Sequence, residues 1–227
     1  MKKAKKKLNY EKLKKITFLL LAFTSTAFYA QVKTGVITYD MTMSDNEEMA
    51  AMGSNTIKVS FTDKSNATQI DMIGGMISIK TITIDKNEPK NTRVLMDAMG
   101  QKLEIVGEAN LMSNSELSSL KNAESVTYNK KDTKKILGFD CYKAFVKMNN
   151  GTTSDFYITE AITPQNKPED KVKLTGYPLE ITVNTERGKV NMLAVLFEKE
   201  PSVNCFVIPE GYEKVTPEEL EQKLGGF

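Results

Sequence analysis

The sequence of 227 residues contains no histidine and no tryptophan, and only two cysteines. Without histidine, the usual general base of serine and cysteine hydrolases and the commonest protein ligand of zinc and copper are missing. The chain also has no phosphate-binding glycine loop, no dinucleotide-binding fingerprint and no Cys-x-x-Cys pair. These absences exclude imidazole-dependent hydrolysis, and we predict neither a cofactor nor a metal ion.

The two cysteines, Cys141 and Cys205, leave two alternatives open. In an oxidising compartment they can pair as a disulfide. As separate thiols they would behave as small buried hydrophobic residues. Because they lie far apart in the sequence, only the fold decides whether their sulfur atoms meet.

The amino-terminal segment has the order of a signal peptide. Residues 1–15 hold eight lysines and a single acid, Glu11, and an apolar run over residues 16–29 follows them. This run is short and contains four hydroxyl residues, so a retained membrane anchor is the weaker alternative. The sequence predicts cleavage after Ala30 and a mature domain of residues 31–227 without a membrane span, which is periplasmic, outer-membrane associated or secreted.

Loss of the signal peptide changes the net charge. Residues 1–30 hold 8 of the 31 basic and 1 of the 29 acidic residues, so residues 31–227 keep 23 basic and 28 acidic residues. No cluster of lysine and arginine remains that follows a phosphate backbone, and we expect no nucleic-acid partner. The length of the mature chain fits one domain with one core.

Apolar and polar residues alternate along much of the mature chain, which is the pattern of half-buried β-strands. Gly74-Gly75 and Asn150-Gly151 predict hairpin turns between such segments. Within residues 76–84 the apolar phase changes, so we expect a β-bulge near Lys80 or Thr81. The segments predicted as strands are 35–43, 57–61, 70–72, 76–84, 94–99, 103–106, 139–148, 152–158, 179–183 and 190–197.

These strands predict a mainly β fold, with a single curved antiparallel sheet or half-barrel of about 8–11 strands. Residues 190–197 are apolar on both faces, so this strand should be central. Residues 109–123 are irregular, and we expect a covering segment there, either one or two helical turns or a loop.

A short helix is predicted at the carboxyl end of the chain. Thr216 can cap it, Pro217 suits its first position, and Glu219 completes a capping box. Leu220 and Leu224 fall on one side of this helix, which should dock onto the sheet by that side.

Methionine is the one unusual enrichment, and Met41 and Met43 share a face of the first predicted strand. Thioethers bind Cu(I), but core packing or an adaptable apolar cavity explains these residues more simply. Together with Leu193 and Val195 on the predicted central strand, Met41 and Met43 are the candidate ligand contacts. The acidic pairs of the chain are expected on solvated surface.

Four segments resemble known exported proteins. They are Ile136-Leu137-Gly138-Phe139-Asp140-Cys141-Tyr142-Lys143-Ala144, then Phe156-Tyr157-Ile158-Thr159, Gly176-Tyr177-Pro178-Leu179-Glu180-Ile181, and Phe206-Val207-Ile208-Pro209-Glu210-Gly211-Tyr212. The chain is similar to the bacterial GLPGLI family and more so to a related exported family of unknown function, because Leu179 and Glu180 replace Gly and Leu of the GLPGLI motif. Neither family brings catalytic residues, and we expect Gly138 and Gly176 in turns. Their strand pattern is similar to that of periplasmic lipoprotein carriers, which implies a curved sheet over an apolar cavity.

The sequence favours a non-enzymatic binding or carrier protein of the cell envelope, which holds an apolar small molecule or an envelope protein. One alternative is a carboxylate-dependent hydrolase, which needs two acids converging in a cleft with raised pKa values. Another is an assembly subunit without a ligand pocket, which would show an exposed apolar patch.

Overall fold

The alternating segments pair mostly with their neighbours along the chain to form one sheet. The computed structural model describes residues 31–44, 55–88, 92–106, 120–168, 170–185 and 188–224. Within these ranges twelve strands occur: β1 (Gly35–Ser44), β2 (Asn55–Phe61), β3 (Asn66–Met72), β4 (Ile77–Thr83), β5 (Thr92–Ala98), β6 (Gln101–Ile105), β7 (Ala123–Ile136), β8 (Phe139–Met148), β9 (Thr153–Thr159), β10 (Tyr177–Thr185), β11 (Gly188–Glu198) and β12 (Glu213–Val215). A single short helix, α1 (Pro217–Leu224), follows them in the described chain.

The strands form one curved, open sheet in the order β12-β6-β5-β4-β3-β2-β1-β11-β10-β9-β8-β7. Neighbouring strands run antiparallel, except that β12 runs parallel to β6. The predicted fold class is therefore confirmed. The strand predicted as central, β11, lies between β1 and β10 in the middle of the order.

The sheet has two faces that differ in composition. The register pairs Met41 of β1 with Met192 of β11, and Met192 with Ile181 of β10, and we call the face that carries them the Met41 face. On the other side, Lys80 of β4 is paired with Leu95 of β5, and we call this the Lys80 face. Side chains opposite one another in paired strands lie on the same face.

The main hydrophobic core includes aromatic rings in contact. The rings of Phe61 and Tyr177 stack with their centroids 5.5 Å apart, and the Tyr39 hydroxyl donates a hydrogen bond of 2.8 Å to the Pro178 carbonyl. Burial raises the pKa of Tyr177 to about 12 and that of Tyr39 well above its ordinary value. Both phenols are therefore neutral and fixed parts of the core.

Helix α1 covers the β6 end of the Met41 face. Leu220 is buried there against Val94, Leu103 and Ile105. The predicted capping box is confirmed, because the Glu219 amide donates to the Thr216 hydroxyl over 3.2 Å and the Thr216 amide donates to the Glu219 carboxylate over 2.8 Å. The side chain of Leu224 lies outside the described residues.

The predicted bulge in β4 is wrong, since β4 pairs without interruption with both β3 and β5. The apolar residues switch from one face of β4 to the other because both faces of this strand are covered. Ile79 packs on the Met41 face toward the cluster around Leu220. Ile82 is fully buried on the Lys80 face, where Phe206 and Ile208 pack over it.

Strand β7 is an edge strand that the sequence pattern did not predict. Apart from its ends, Ala123 and Ile136, its residues are exposed or half-buried. Its pairing with β8 shifts register between Asn129 and Thr133. Charged, irregular edge strands of this kind discourage pairing with other chains, and they carry little apolar alternation. The covering segment predicted at residues 109–123 lies largely outside the described residues, which resume with a turn at 120–122.

The fold keeps the two cysteines apart as free thiols. Cys141 is buried on β8 in the main core, whereas Cys205 lies in the 3-10 turn Val203–Phe206, which contacts β3 and β4. Five strands of the sheet lie between β3 and β8. The alternative of two separate thiols therefore describes the structure, in place of the disulfide. Burial raises the pKa of Cys141 to about 11.

Candidate apolar binding site

A cavity of about 170 Å³ lies on the Met41 face of β8, β9 and β10. Its floor carries Val146, Phe156, Ile181 and Val183, which the register places side by side. Its volume is close to that of an apolar cavity of about 150 Å³ that stays dry and binds benzene. The cavity is thus large enough for one ring or a short stretch of alkyl chain.

The segment between β9 and β10, residues 160–176, covers this cavity, and we call it the cover loop. Leu174 is buried against Ala123 and Val146 and forms part of the cavity wall. The Asn166 amide nitrogen donates to the Leu174 carbonyl, and the Leu174 amide donates back to the Asn166 oxygen, both over 2.9 Å. This pair closes the cover loop on itself.

The first described residues bind the cover loop as an additional strand-like segment. The Val32 amide donates to the Ala161 carbonyl over 2.8 Å, and the Thr163 amide donates to the Val32 carbonyl over 2.9 Å. The Gln31 side chain donates to the Glu160 carbonyl over 2.9 Å. The chain that follows the predicted cleavage site therefore helps to hold the cover loop in place.

Polar groups at the rim of the cavity have partners within the protein. The Gln165 side chain donates to the Thr163 carbonyl over 3.0 Å and accepts a bond of 2.7 Å from the Lys86 ammonium. Lys86 also donates to the Thr62 carbonyl. Burial lowers the pKa of Lys86, and the nearby charge of Asp63 partly opposes this shift. Because these groups already have hydrogen-bond partners in the protein, a ligand needs no polar group to pair with them.

Gly176 lies where the cover loop joins β10. A β-carbon at this position would sit 2.6 Å from the Thr159 carbonyl oxygen and 2.8 Å from its carbon. The sequence suggests a turn at Gly176, but the structure requires glycine here for close approach of two backbones. By contrast, Gly138 has φ 84° in the tight turn between β7 and β8, as predicted.

Met41 and Met43, two of the predicted ligand contacts, share a face with the cavity. One cross-strand row runs Ala144-Phe156-Ile181-Met192-Met41, and a second runs Val146-Ser154-Val183-Val190-Met43. Both rows begin at β8 and end at β1. The two methionines are half-buried at the far end of an almost continuous apolar floor.

Leu193 and Val195, the other two predicted contacts, are not brought together with the methionines. Leu193 pairs with Asp40 and Glu180 on the Lys80 face and is 37% exposed. Val195 lies at a register shift of β11 and is 42% exposed.

The buried acids of the described chain do not converge on one site. Glu104 of β6 lies 3.3 Å from the guanidinium of Arg93. Asp170 of the cover loop accepts a hydrogen bond of 2.6 Å from the Lys167 amide. Within the same described ranges no three acidic or cysteine side chains group as a metal site. Glu104 and Asp170 therefore do not form a carboxylate pair of the kind that the predicted hydrolase needs.

The cavity wall includes residues that the sequence pattern did not single out. Four of these residues belong to predicted strands: Val146, Phe156, Ile181 and Val183. The alternation of apolar and polar residues along those strands is the sequence signal that could have identified them. The sequence does not show that residues 160–176 fold back over these strands. Leu174, the wall residue in that loop, has no periodic neighbours.

No protein-family model and no curated protein matches the sequence. Similar solved structures include an uncharacterized conserved protein from Thermus thermophilus, at 10% identity and TM-score 0.46, covering 82% of this chain and 91% of that one. The lipoprotein LppX from Mycobacterium tuberculosis is 9% identical with TM-score 0.38, covering 77% and 90%. A DUF1329 family protein from Desulfovibrio piger is 10% identical with TM-score 0.38, covering 79% and 91%.

These likenesses concern the path of the chain alone. Two other solved structures with a similar chain path are longer, and this chain spans only 32% of PNGF-II and 56% of MucB. The predicted resemblance to the GLPGLI family stays a prediction. In the part of the chain that the structure describes, no helix has both the length and the apolar character needed to cross a membrane.

Proposed function

We propose that this protein is an exported, non-enzymatic binding or carrier protein of the cell envelope, which holds the apolar part of a ligand beneath the cover loop. The proposal rests on the apolar cavity of about 170 Å³ between β8–β10 and residues 160–176. Its floor is apolar, and rim groups such as Gln165 and Asn166 are bonded within the protein. Export is supported by the lysine-rich and apolar order of residues 1–30.

The floor of the cavity suggests how a longer ligand would lie. The two cross-strand rows span five strands, which corresponds to about 19 Å at the usual spacing between strands. Met192 and Val190 in the middle are buried, while Met41 and Met43 are half-buried. We propose that a ring or alkyl end occupies the cavity. A long chain would have to displace the protein that covers Met192 and Val190 before it reached the methionines, whose flexible thioethers adapt to different shapes.

The test is binding of an environment-sensitive fluorescent fatty acid by the purified exported protein. Ile181→Asp places a carboxylate on the cavity floor, and we expect at least tenfold weaker binding. Leu193→Asp makes the same chemical change on the Lys80 face and serves as the matched control. Circular dichroism checks that each variant is folded, and Ile181→Asn replaces the aspartate variant if that one unfolds.

Two results would contradict the proposal. No binding at protein concentrations up to roughly 100 µM would exclude even a weak site of about −5.5 kcal/mol. Loss of binding in Leu193→Asp with normal binding in Ile181→Asp would place the ligand on the Lys80 face, as the sequence-based choice of Leu193 implies.

A second candidate, an assembly subunit, is favoured by one observation. Leu193, Val195 and Leu196 of the central strand β11 are 37%, 42% and 49% exposed. Several exposed apolar side chains close together on one strand are a feature of protein-binding surfaces. Sedimentation at increasing protein concentration distinguishes the two, because a carrier with a filled cavity is expected to stay monomeric.

A further inference from the structure

A second cavity of about 500 Å³ opens on the Lys80 face, on the side of the sheet away from the apolar site. Its floor consists of the adjacent strands β3, β4 and β5. The register places Gln69, Lys80 and Leu95 in one cross-strand row and Ser78 and Asp97 in the next. Hairpin turns at residues 75–76 and 99–100 border the cavity.

The remaining wall comes from the segment that follows the turn Val203–Phe206. Pro209 and Tyr212 line the cavity. The same segment is anchored beside it, since Phe206, Ile208 and Tyr212 pack against the buried cluster that includes Leu95. The wall is thus part of the packed structure of the sheet.

Lys80 and Asp97 carry opposite charges into this cavity without forming an ion pair. They are diagonal neighbours on β4 and β5, because Lys80 pairs with Leu95 and Asp97 is two residues further along. Every ion pair found in the described chain involves other residues, such as Arg93 with Glu104. Both residues are half-buried. The exposed Lys102 of β6 lies opposite Asp97, and Asp71 of β3 belongs to the same cross-strand row, but neither forms an ion pair with Lys80 or Asp97.

Neutral polar groups lie beside the two charges. The Gln69 amide nitrogen donates to both carboxylate oxygens of Asp71, each over 3.0 Å, which leaves the Gln69 carbonyl oxygen as an acceptor. Burial, and then the charge of Asp97, raise the pKa of Tyr212, so its hydroxyl stays a donor at neutral pH.

We propose that this cavity binds a small zwitterion of the amino-acid or short-peptide class, with its carboxylate at Lys80 and its ammonium at Asp97. A ligand with one charge would contact only one of these two side chains. A ligand with both charges satisfies both, and charge-assisted hydrogen bonds are the stronger kind. The volume lies within the usual range for small-ligand sites. This proposal does not depend on the apolar site.

The experiment measures binding of the dipeptide alanyl-alanine by saturation-transfer NMR, with N-acetyl-alanyl-alanine amide as the neutral analogue. We expect the dipeptide to bind and the analogue to bind at least tenfold more weakly. Lys80→Met and Asp97→Asn should each weaken dipeptide binding at least tenfold. Lys58→Met and Asp40→Asn, exposed positions on the same face outside the cavity, are the matched controls and should bind normally.

Three outcomes overturn the proposal. They are absence of dipeptide binding up to roughly 10 mM, equal binding of the neutral analogue, or a loss in only one of the two cavity variants, which would show that the site recognises only one charge of the dipeptide. Circular dichroism confirms the fold of each variant. Binding of the fluorescent fatty acid should be unchanged in Lys80→Met, so failure of this proposal and failure of the apolar site are distinguishable.

Discussion

Gly176→Ala tests whether the cover loop must lie directly against β9. The added β-carbon would sit 2.6 Å from the Thr159 carbonyl oxygen, whereas ordinary contact begins at 3.4 Å. Loop and strand would therefore have to separate by about 0.8 Å. Both sides of this contact are backbone, so no side-chain rotation relieves it. Overpacking of this kind costs about 1–3 kcal/mol, and with an m-value of about 2 kcal/mol/M the urea midpoint should fall by about 1 M.

The matched control for this prediction is Gly151→Ala in the hairpin turn between β8 and β9. Gly151 has φ 85° and nothing within contact distance of an added β-carbon, so alanine costs about 1–2 kcal/mol through backbone strain alone. Both variants lose stability, but only Gly176→Ala moves the wall of the apolar cavity. We expect weaker binding of the fluorescent fatty acid in Gly176→Ala and normal binding in Gly151→Ala. A urea midpoint and a probe affinity for Gly176→Ala that match wild type would refute the reasoning.

Three further predictions concern other parts of the chain. Because the folded pKa of Tyr177 is about 12 and its ordinary value is 10.0, its neutral form stabilises the fold fully below pH 10. This stability is lost by up to about 1.4 kcal/mol per pH unit between pH 10 and 12. Urea titrations of wild type and Tyr177→Phe over that range should show a shallower decline in the variant, and equal slopes would contradict it. Under native conditions a thiol reagent should label Cys205 much faster than the buried Cys141, and mass spectrometry that finds equal labelling would be inconsistent with the structure. Amino-terminal sequencing of protein from the cell envelope or medium should begin at or near Gln31, and an intact chain starting at Met1 in the inner membrane would contradict cleavage and favour the retained anchor.

The overall fold follows from local sequence pattern to a large extent. The alternation of apolar and polar residues predicted most of the strands, and Asn150-Gly151 predicted a hairpin turn. The strand at 190–197, which is apolar on both faces, was predicted to be central and lies in the middle of the sheet. The helix start at Thr216 followed from its capping box. These features are local, because each depends on side chains a few residues apart.

The features that local pattern did not predict depend on distant parts of the chain. β4 has apolar residues on both faces because the segment around Phe206 folds over Ile82, more than a hundred residues earlier in the sequence. The charged edge strand β7 has few buried residues and therefore little periodicity. Leu193 of β11 was a predicted ligand contact, but it lies on the face opposite the cavity and is 37% exposed.

The sequence predicted an apolar site, and the role of Met41 and Met43 as ligand contacts stays a prediction. Both methionines lie on the face that carries the cavity, but neither lines it. The cavity itself arises from the irregular cover loop, which is held by contacts such as Asn166 with Leu174 and Val32 with Ala161. Such contacts leave no periodic signal in the sequence.

The most direct test of the apolar site is photocrosslinking with a diazirine fatty acid, followed by peptide mapping. If the ligand lies beneath the cover loop, the label should be found on the cavity wall, at Phe156, Leu174 or Ile181, and a long chain should also label Met41. Excess unlabelled fatty acid should suppress these crosslinks. Suppressible labelling confined to Leu193 and Val195, or no suppressible labelling at all, would contradict the account.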